Sequence, residues 1–394
     1  MTPESRTNSN GDLTDGTLKG TRIIFIIGTF TLGGAKRQAL LLARHLVHEQ
    51  GADVEFWGLG KPGRVSELCD EYKIHWRSAP IPMPWLVPPR LQFKRFVNLA
   101  LTLRRARPDV ILPFMFFQSA ACGIVWRFTG ARLCIWNQRD EGRDRLARFY
   151  EKLAIWLTPC FVANSGLGSE FMVKKLGIKH VNLVYNGVQL RPRDWDGKKW
   201  REHLGVSNDC FLACMVANLQ EFKDHPTLLK AWRIVMDRLE KMNRPAVLLL
   251  AGAFFGSETK VKALAYDLKL GKSIRFLGGV KDISGLLSAV DLGVHSSVNE
   301  GVPNGVLEPM AAGLAVTGTD YPGIREALGE QGHRFLAPPF DAEGLAAQII
   351  AFALDPELRR AAGIANRLRI ESEFPPRKMH QKMASLIAAG LRQK

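Results

Sequence analysis

Short apolar runs and longer amphipathic segments alternate along the chain. The first run, residues 22–27, is apolar throughout after Arg22 and ends at Gly28, and a helical pattern follows over residues 35–48. Continuous apolar runs of this length are typical of strands buried in a parallel sheet. The same pattern predicts further strands at residues 54–57, 74–76, 110–112, 133–136, 160–163, 181–184, 211–217, 246–251, 274–277, 291–295 and 315–317. Because helical segments lie between them, we expect right-handed βαβ crossovers.

A polar, charged stretch over residues 189–209 divides this series in two. A chain of 394 residues exceeds what one hydrophobic core usually supports, so two domains are expected. We predict an α/β fold with one Rossmann-like domain over residues 21–188 and a second over residues 210–373. Residues 1–20 are polar and are predicted to form a disordered leader, whereas residues 374–394 are predicted to contain a final helix.

The net charge of +16 is unevenly distributed and bears on partners more than on the fold. Residues 1–190 carry 26 Lys and Arg against 15 Asp and Glu, whereas the rest of the chain carries 28 against 23. No aromatic-basic RNA motif, zinc finger or helix-turn-helix accompanies this charge, so we expect no nucleic-acid partner. An anionic membrane surface or a lipid-diphosphate acceptor explains the basic first half better.

Three features indicate the compartment. The polar N-terminus has no apolar signal segment, and the longest uncharged run, residues 110–126, is too short to span a bilayer. Six scattered cysteines without a C-x-x-C pair are typical of a reducing environment. We therefore predict a cytoplasmic protein that can associate peripherally with the inner face of the plasma membrane.

The most basic segment covers residues 90–107, which carry six basic and no acidic side chains with apolar residues at helical spacing. An apolar, proline-rich stretch containing Trp85 precedes it over residues 83–89. A basic amphipathic helix beside a tryptophan suits a membrane interface. The same spacing suits an ordinary crossover helix whose apolar stripe packs on the sheet, and the strand predicted at residues 110–112 favours that alternative.

The polar stretch after the predicted strand 291–295 indicates a ligand site. It passes through a loop broken by Gly and Pro into a helix predicted from Asn304 to Gly313. The first N–H groups of a helix and the positive end of its dipole bind anions. Glu300 stands before the helix and Glu308 about one turn into it, where carboxylates can accept from hydroxyls. A nucleotide sugar, with a central diphosphate and hydroxyls at both ends, fits this arrangement.

The run EGVPNGVLE from Glu300 to Glu308, followed by Gly313 and Glu326, resembles the signature of family 4 retaining glycosyltransferases. The resemblance covers nearly everything from Arg22 on. It implies the GT-B architecture, in which two Rossmann-like domains with parallel sheets face each other across a cleft and the last helix crosses back to the first domain. It also implies that a sugar passes from a nucleotide-diphosphate donor to an acceptor hydroxyl with retention at the anomeric carbon.

The resemblance points to residues on both sides of the cleft. In the first domain these are the glycine turn after the first strand, with Lys36 or Arg37 beside it, facing the donor diphosphate. In the second domain Lys223 would hold the diphosphate, Glu300 the hexose and Glu308 the ribose. The predicted donor-binding residues are Gly33, Gly34, Asn218, Lys223, Glu300, Pro303, Asn304, Gly305, Val306, Leu307 and Glu308.

Two departures from the family pattern bear on the chemistry. Asn218 stands where relatives have an arginine, which removes one cation from the diphosphate site; Arg37 or Arg139 could compensate. Arg139 itself follows a predicted strand near a position where many relatives have a histidine, so no general base is assigned. The predicted catalytic residues are Glu300, Lys223 and Arg139.

No metal and no other cofactor is predicted, because the only D-x-D run, Asp194-Trp-Asp196, lies in the interdomain linker and not beside a binding loop. The expected role is synthesis of a bacterial cell-surface polysaccharide or lipid-linked glycan, with a glycan or lipid-linked acceptor. A sugar-nucleotide epimerase of the same architecture and a non-catalytic basic module that binds membranes or polyanions remain alternatives. A dehydrogenase is disfavoured, since no strand ends in G-x-G-x-x-G with a following acidic residue.

Overall fold

The chain folds into two α/β domains, and a computed structural model describes residues 17–79, 88–142, 146–190 and 194–393. The first sheet has seven strands, and all of them are parallel. Its strands are β1 (Arg22–Thr29), β2 (Asp53–Leu59), β3 (His75–Ser78), β4 (Val110–Pro113), β5 (Leu133–Gln138), β6 (Cys160–Ala163) and β7 (Asn182–Leu183), in the order β3-β2-β1-β4-β5-β6-β7.

Helices join these strands as crossovers and cover both faces of the sheet. They are α1 (Gly34–His48), α2 (Arg64–Glu71), α3 (Pro89–Ala106), α4 (Phe116–Val125), α5 (Arg148–Leu157) and α6 (Gly166–Lys174).

The second domain repeats this plan with a six-stranded parallel sheet in the order β10-β9-β8-β11-β12-β13. Its strands are β8 (Phe211–Val216), β9 (Ala246–Ala251), β10 (Ile274–Gly278), β11 (Leu292–His295), β12 (Ala315–Thr319) and β13 (Leu336–Ala337). Its helices are α7 (Gly197–Leu204), α8 (His225–Glu240), α9 (Glu258–Asp267), α10 (Ile283–Ala289), α11 (Asn304–Ala311), α12 (Pro322–Leu328), α13 (Ala342–Leu354) and α14 (Pro356–Glu373), and α15 (Pro376–Arg392) ends the described chain.

Strand β1 shows why the strands read as unbroken apolar runs. Ile23 and Phe25 face one hydrophobic core with α1 and α15, whereas Ile24 and Ile26 face a second core with α3, α4 and α5. Because helices cover both faces of the strand, its inner positions 23–27 are all apolar. The same division occurs in the second domain, where alternate residues of β8 enter two different cores.

Helix α15 leaves the second domain and completes the core of the first. Met379, Met383 and Ile387 lie in the same cluster as β1, and the guanidinium of Arg132 donates to the carbonyl of Leu391 over 2.7 Å. The C-terminal helix therefore fastens the two domains together, as the resemblance implies.

The predicted α/β class with two parallel sheets is confirmed, and the predicted strands agree with the observed ones to within two residues. The leader predicted over residues 1–20 lies outside the described residues up to 16. It is wrong for residues 17–20, which form a turn with Leu18 buried in the first core and Gly20 N donating to Gly51 O. Residues 83–87, including Trp85, also lie outside the described chain.

Helix α3 packs on the sheet through Leu99 and Leu103, so the alternative of an ordinary crossover helix is confirmed for that face. No helix within the described ranges is long and apolar enough to cross a membrane.

Candidate functional site

Lys223 is held at the end of β8 by the loop that follows the neighbouring strand β11. It ends a 3-10 turn, Glu221–Lys223. Ser296 Oγ donates to the carbonyl of Lys223 over 3.1 Å, and Ser297 Oγ donates to the carbonyl of Phe222 over 2.9 Å. Because β8 and β11 are hydrogen-bonded neighbours, these two loops meet at the carboxyl edge of the sheet, where ligands bind in folds of this class.

Glu300 lies in the same loop and forms an ion pair with Lys223. Both side chains are 13% exposed, so the pair is shielded from most water. Nε2 of the fully buried His295 lies 3.3 Å from Glu300 Oε1. Burial, followed by the nearby charges of Lys223 and His225, holds the pKa of His295 well below its usual range. The ring is therefore neutral at pH 7, and with its proton on Nε2 it donates to the carboxylate.

The start of α11 presents an anion-binding end to this pair. A Cβ at Gly305 would lie 2.1 Å from the carbonyl oxygen of Val216, so only glycine lets the helix start so close to the end of β8. The N–H groups of Asn304 and Gly305 are the first of the helix and have no intrahelical acceptor. These two groups can point at a ligand anion.

Two of the predicted donor-binding residues also have a packing role at the start of α11. Val306 and Leu307 are fully buried in a hydrophobic cluster, and their N–H groups donate to the carbonyl of Pro303 over 3.0 and 3.2 Å. Both residues therefore pack the helix, and their contact with a donor stays a prediction. Pro303 precedes the helix as its N-cap residue.

One glycine turn and two side-chain amides of the first domain contact the start of α11. A Cβ at Gly34 would lie 2.9 Å from Nδ2 of Asn304, so the glycine turn and the helix start are in close approach. The side-chain amide of Asn186 donates to Oδ1 of Asn304 over 3.0 Å, and that of Gln38 does so over 3.4 Å. A Cβ at Gly33 would meet open space.

Glu308, the carboxylate predicted for the ribose, forms an ion pair with Arg37 across the cleft. Its side chain is 9% exposed and that of Arg37 is 39% exposed. Lys36 turns away from the pair and donates to Thr29 Oγ1 over 2.6 Å and to the carbonyl of Thr31 over 2.8 Å. Burial lowers the pKa of Lys36 to about 8. Arg37 is thus paired with a carboxylate of the second domain, whereas Lys36 is bonded to its own loop.

Arg139 is a buried cation whose partners are neutral amides. Its Nη atoms donate to Oδ1 of Asn186 over 3.2 Å and to Oδ1 of Asn137 over 3.1 Å, and the guanidinium lies 4.8 Å from the ring centroid of Phe114. No carboxylate in the described ranges forms a salt bridge with it. Burial lowers its pKa to about 10, so it stays charged at neutral pH. Through Asn186 it is linked to Asn304 at the start of α11.

Asn218 has a structural task in addition to any role with a ligand. Its Oδ1 accepts from the N–H of Ala253 over 3.0 Å and so holds the loop after β9. The side-chain oxygen is thereby occupied, and only its amide NH₂ can be offered to the cleft.

Glu326 forms a further link between the domains. The sequence placed it in the family motif but gave it no role. Its carboxylate accepts from the N–H of Gly166, the first residue of α6, over 2.8 and 2.9 Å, and from the hydroxyl of Tyr185 over 2.7 Å. A carboxylate at a helix N-terminus is favourable. Burial and then the hydrogen bond to Glu326 raise the pKa of Tyr185.

The D-x-D run Asp194-Trp-Asp196 makes hydrogen bonds that hold the linker in place. Asp196 caps α7, where its side chain accepts from the N–H of Lys199 over 2.9 Å, and the N–H of Trp195 donates to Asp282 over 3.1 Å.

With this geometry in place, comparisons with known proteins decide the family. The model of the glycosyl transferases group 1 matches residues 196–369, and that of glycosyltransferase family 4 matches residues 32–191. The chain belongs to these glycosyltransferases. The two matches meet at the linker, so one family model covers most of each domain.

Two relatives that are named as glycosyltransferases agree with this assignment. The putative glycosyltransferase EpsD of Bacillus subtilis is 28% identical over 192 residues, which is 49% of each chain. The putative colanic acid biosynthesis glycosyltransferase WcaL of Escherichia coli is 32% identical over 96 residues, 23% of this chain and 22% of that one. The chain thus spans about half the length of EpsD and 22% of the length of WcaL.

A solved structure shows the fold. The crystal structure of HepE from Anabaena in complex with UDP and glucose superposes with a TM-score of 0.79 at 19% identity, covering 94% of this chain and 100% of that one. The predicted GT-B architecture is confirmed.

Proposed function

We propose that the protein is a retaining glycosyltransferase that moves a sugar from a nucleotide-diphosphate donor to an acceptor hydroxyl without a metal ion. The observation that carries this proposal is the shielded Lys223–Glu300 pair beside the first N–H groups of α11. One group of the pair suits a phosphate and the other suits sugar hydroxyls, and they stand together at the carboxyl edge of a parallel sheet.

The costly step in such a reaction is separation of the sugar from its diphosphate. Negative charge grows on the leaving group while positive charge grows on the sugar ring. Lys223 and the N–H groups of Asn304 and Gly305 are placed to stabilise the leaving diphosphate. Glu300 would orient the hexose through its hydroxyls. Preorganised donors in a site with little water act more strongly than the same groups in solution.

Two exchanges of partner follow from the ion pairs of the cleft. A bound diphosphate would compete with Glu300 for Lys223, which frees the carboxylate for the sugar. Ribose hydroxyls would compete with Arg37 for Glu308. Arg37 would then be free to turn to the diphosphate. There it would take the place of the arginine that relatives have at the position of Asn218. Arg139 is proposed as the second compensating cation, because it is charged, buried and linked to Asn304.

The acceptor is proposed to be a growing glycan or a lipid-linked glycan of a bacterial cell surface, made at the cytoplasmic side of the membrane. The name of the relative WcaL supports the polysaccharide, and the basic first half supports an anionic lipid or lipid-diphosphate acceptor.

A thermal-shift panel with UDP, GDP, ADP and their common sugar conjugates tests the proposal. A ligand at 100 times its Kd stabilises the folded state by ~2.7 kcal/mol. We expect one nucleotide class to raise Tm, and Lys223→Ala to abolish the shift. Lys241→Ala is the matched control, because Lys241 is an exposed lysine of the same domain without an ion pair among the described residues. No shift with any nucleotide would contradict the proposal.

The reaction itself is then followed with the donor that binds. We expect nucleotide release that depends on an acceptor, and NMR of the product should show the donor's anomeric configuration. Inversion would overturn the retaining assignment. Release of nucleotide from the donor alone would favour an epimerase, so the donor without acceptor is the control.

A further inference from the structure

Helix α3 has a second apolar stripe on the face that points away from the sheet. Phe93, Val97 and Leu101 follow one another at intervals of four residues, so they form a ridge along the helix. They are 77%, 38% and 44% exposed. A crossover helix whose only task is to cover a sheet has a polar outer face. The outer ridge therefore needs another explanation.

Helix α5 shows the same feature beside it. Phe149 and Trp156 are 70% and 78% exposed on its outer face. Phe96 of α3 stacks on Tyr150 of α5 with ring centroids 5.9 Å apart, so the two helices are joined on the same side of the sheet. We call their combined outer face the basic aromatic surface; its apolar members are Phe93, Val97, Leu101, Phe149 and Trp156.

The charges around these apolar side chains are of one sign. Exposed basic residues flank the ridge, and none of them forms an ion pair with another described residue. Helix α3 contains no acidic residue, and the single one on α5, Glu151, is buried. The exposed basic residues of the surface are Lys94, Arg104, Arg105, Arg148 and Lys152.

We propose that the basic aromatic surface binds an anionic lipid bilayer, with its aromatic side chains in the interface and its Lys and Arg side chains on lipid phosphates. Charge complementarity selects an anionic occupant, and the ridge of Phe, Val, Leu and Trp selects one that also offers an apolar phase. A nucleic acid or polysaccharide would satisfy the basic side chains but would leave the apolar ridge in water. A second copy of this chain would bring like charges together.

The surface belongs to the first domain and lies on the sheet face opposite α1 and α15. Membrane binding through it would leave the second domain unattached, so the two domains could still open and close. The inference stands without the proposed glycosyl transfer, because its readout is binding to lipid.

Flotation of the full chain with vesicles tests it. We expect co-flotation with vesicles of phosphatidylcholine and phosphatidylglycerol in equal parts, and none with phosphatidylcholine alone. Each basic residue near an anionic surface contributes about a fivefold change in partitioning, so Lys94→Ala with Arg105→Ala should weaken binding about 25-fold. Phe93→Ser with Trp156→Ser should weaken it by about tenfold or more.

Matched controls come from the second domain, which has exposed aromatic, apolar and basic residues of its own. Tyr266 and Leu368 are 84% and 61% exposed, and Lys241 and Lys272 are exposed lysines. Tyr266→Ser with Leu368→Ser, and Lys241→Ala with Lys272→Ala, should bind vesicles as the wild type does. All variants change exposed side chains, and an unchanged Tm confirms that each is folded.

Three results would overturn the proposal. The first is co-flotation with both vesicle types or with neither. The second is binding to anionic vesicles that the aromatic variant retains in full, which would indicate a site for polyanions only. The third is a protein dimer in size-exclusion chromatography that the same variants dissociate while lipid binding is absent.

Discussion

The Lys223–Glu300 pair allows its structural and chemical contributions to be separated by a double-mutant cycle. Removing one member of a buried ion pair leaves the other charge without compensation, which costs ~3–5 kcal/mol in a fully dry site. Both side chains here are 13% exposed, so some water reaches them, and we expect ~2–3 kcal/mol for Lys223→Met. In a domain of this size each kcal/mol lowers Tm by ~2–4 °C, hence a loss of ~4–12 °C.

The double variant Lys223→Met with Glu300→Gln leaves no uncompensated charge. We expect its Tm to return to within about 3 °C of the wild type, because a neutral amide can still accept from His295 and no ion is left alone. Its kcat/KM should nevertheless remain lower by on the order of 10² or more, since both groups that would act on the donor are gone. Stability and activity are thereby separated in a single protein.

Calorimetry and a nucleotide-release assay measure the two quantities. Arg360→Met is the control for a pair in solvent: Arg360 and Glu357 are 71% and 76% exposed, so its loss should change stability by less than about 1 kcal/mol. Wild-type stability of Lys223→Met would refute the argument from burial. Recovery of activity in the double variant would refute the catalytic assignment.

Three further changes have defined outcomes. Glu308→Gln removes a charged acceptor for the nucleotide, so Kd in isothermal titration should rise about tenfold or more. Glu326→Ala leaves the Tyr185 hydroxyl without its acceptor, and denaturant unfolding should show a loss of about 2 kcal/mol. Burial, followed by the charge of His45, lowers the pKa of His380 from 6.5 to about 4. The unfolded chain therefore binds this proton first, so stability is complete above pH 6.5 and falls by ~2–3 kcal/mol as pH drops to 4.

Controls keep these outcomes separate. Glu357→Ala removes an exposed carboxylate and should change neither nucleotide affinity nor domain stability measurably. An unchanged Kd for Glu308→Gln would place the ribose elsewhere. His380→Phe should flatten the acid side of the stability profile, and an identical slope in that variant would assign the loss to other groups.

Most strands were predictable because helices cover both of their faces, which favours an unbroken apolar run. β13, Leu336–Ala337, was missed because Pro338 and Pro339 end its apolar run after three residues, whereas the equally short β7 lies within the predicted segment 181–184. Helix α3 shows a further limit: its sequence contains two apolar stripes, and only the fold shows which one faces the sheet. Periodicity fixes the spacing of side chains but not the identity of the surface they meet.

The sequence predicted which residues belong to the site. It did not predict which side chains of the other domain they contact. A strand, a glycine-broken loop and a helix start are local features, so Asn304 and Gly305 could be placed from sequence. Arg37 and Glu308 are 271 residues apart, and their pairing depends on how the two domains approach. The same holds for Asn186, whose side-chain amide links Arg139 to Asn304 and which lies two residues before the predicted end of the first domain.

Helix α15 has a consequence for synthesis of the protein. Its residues leave the ribosome after the whole second domain, yet Met383 and Ile387 fill the core around β1 of the first. In most multidomain proteins the N-terminal domain folds first, as soon as it emerges. Here the first domain keeps part of its core open to water until α15 has been translated. A nascent chain stalled at residue 375 would therefore carry an unfinished first domain for chaperones to shield.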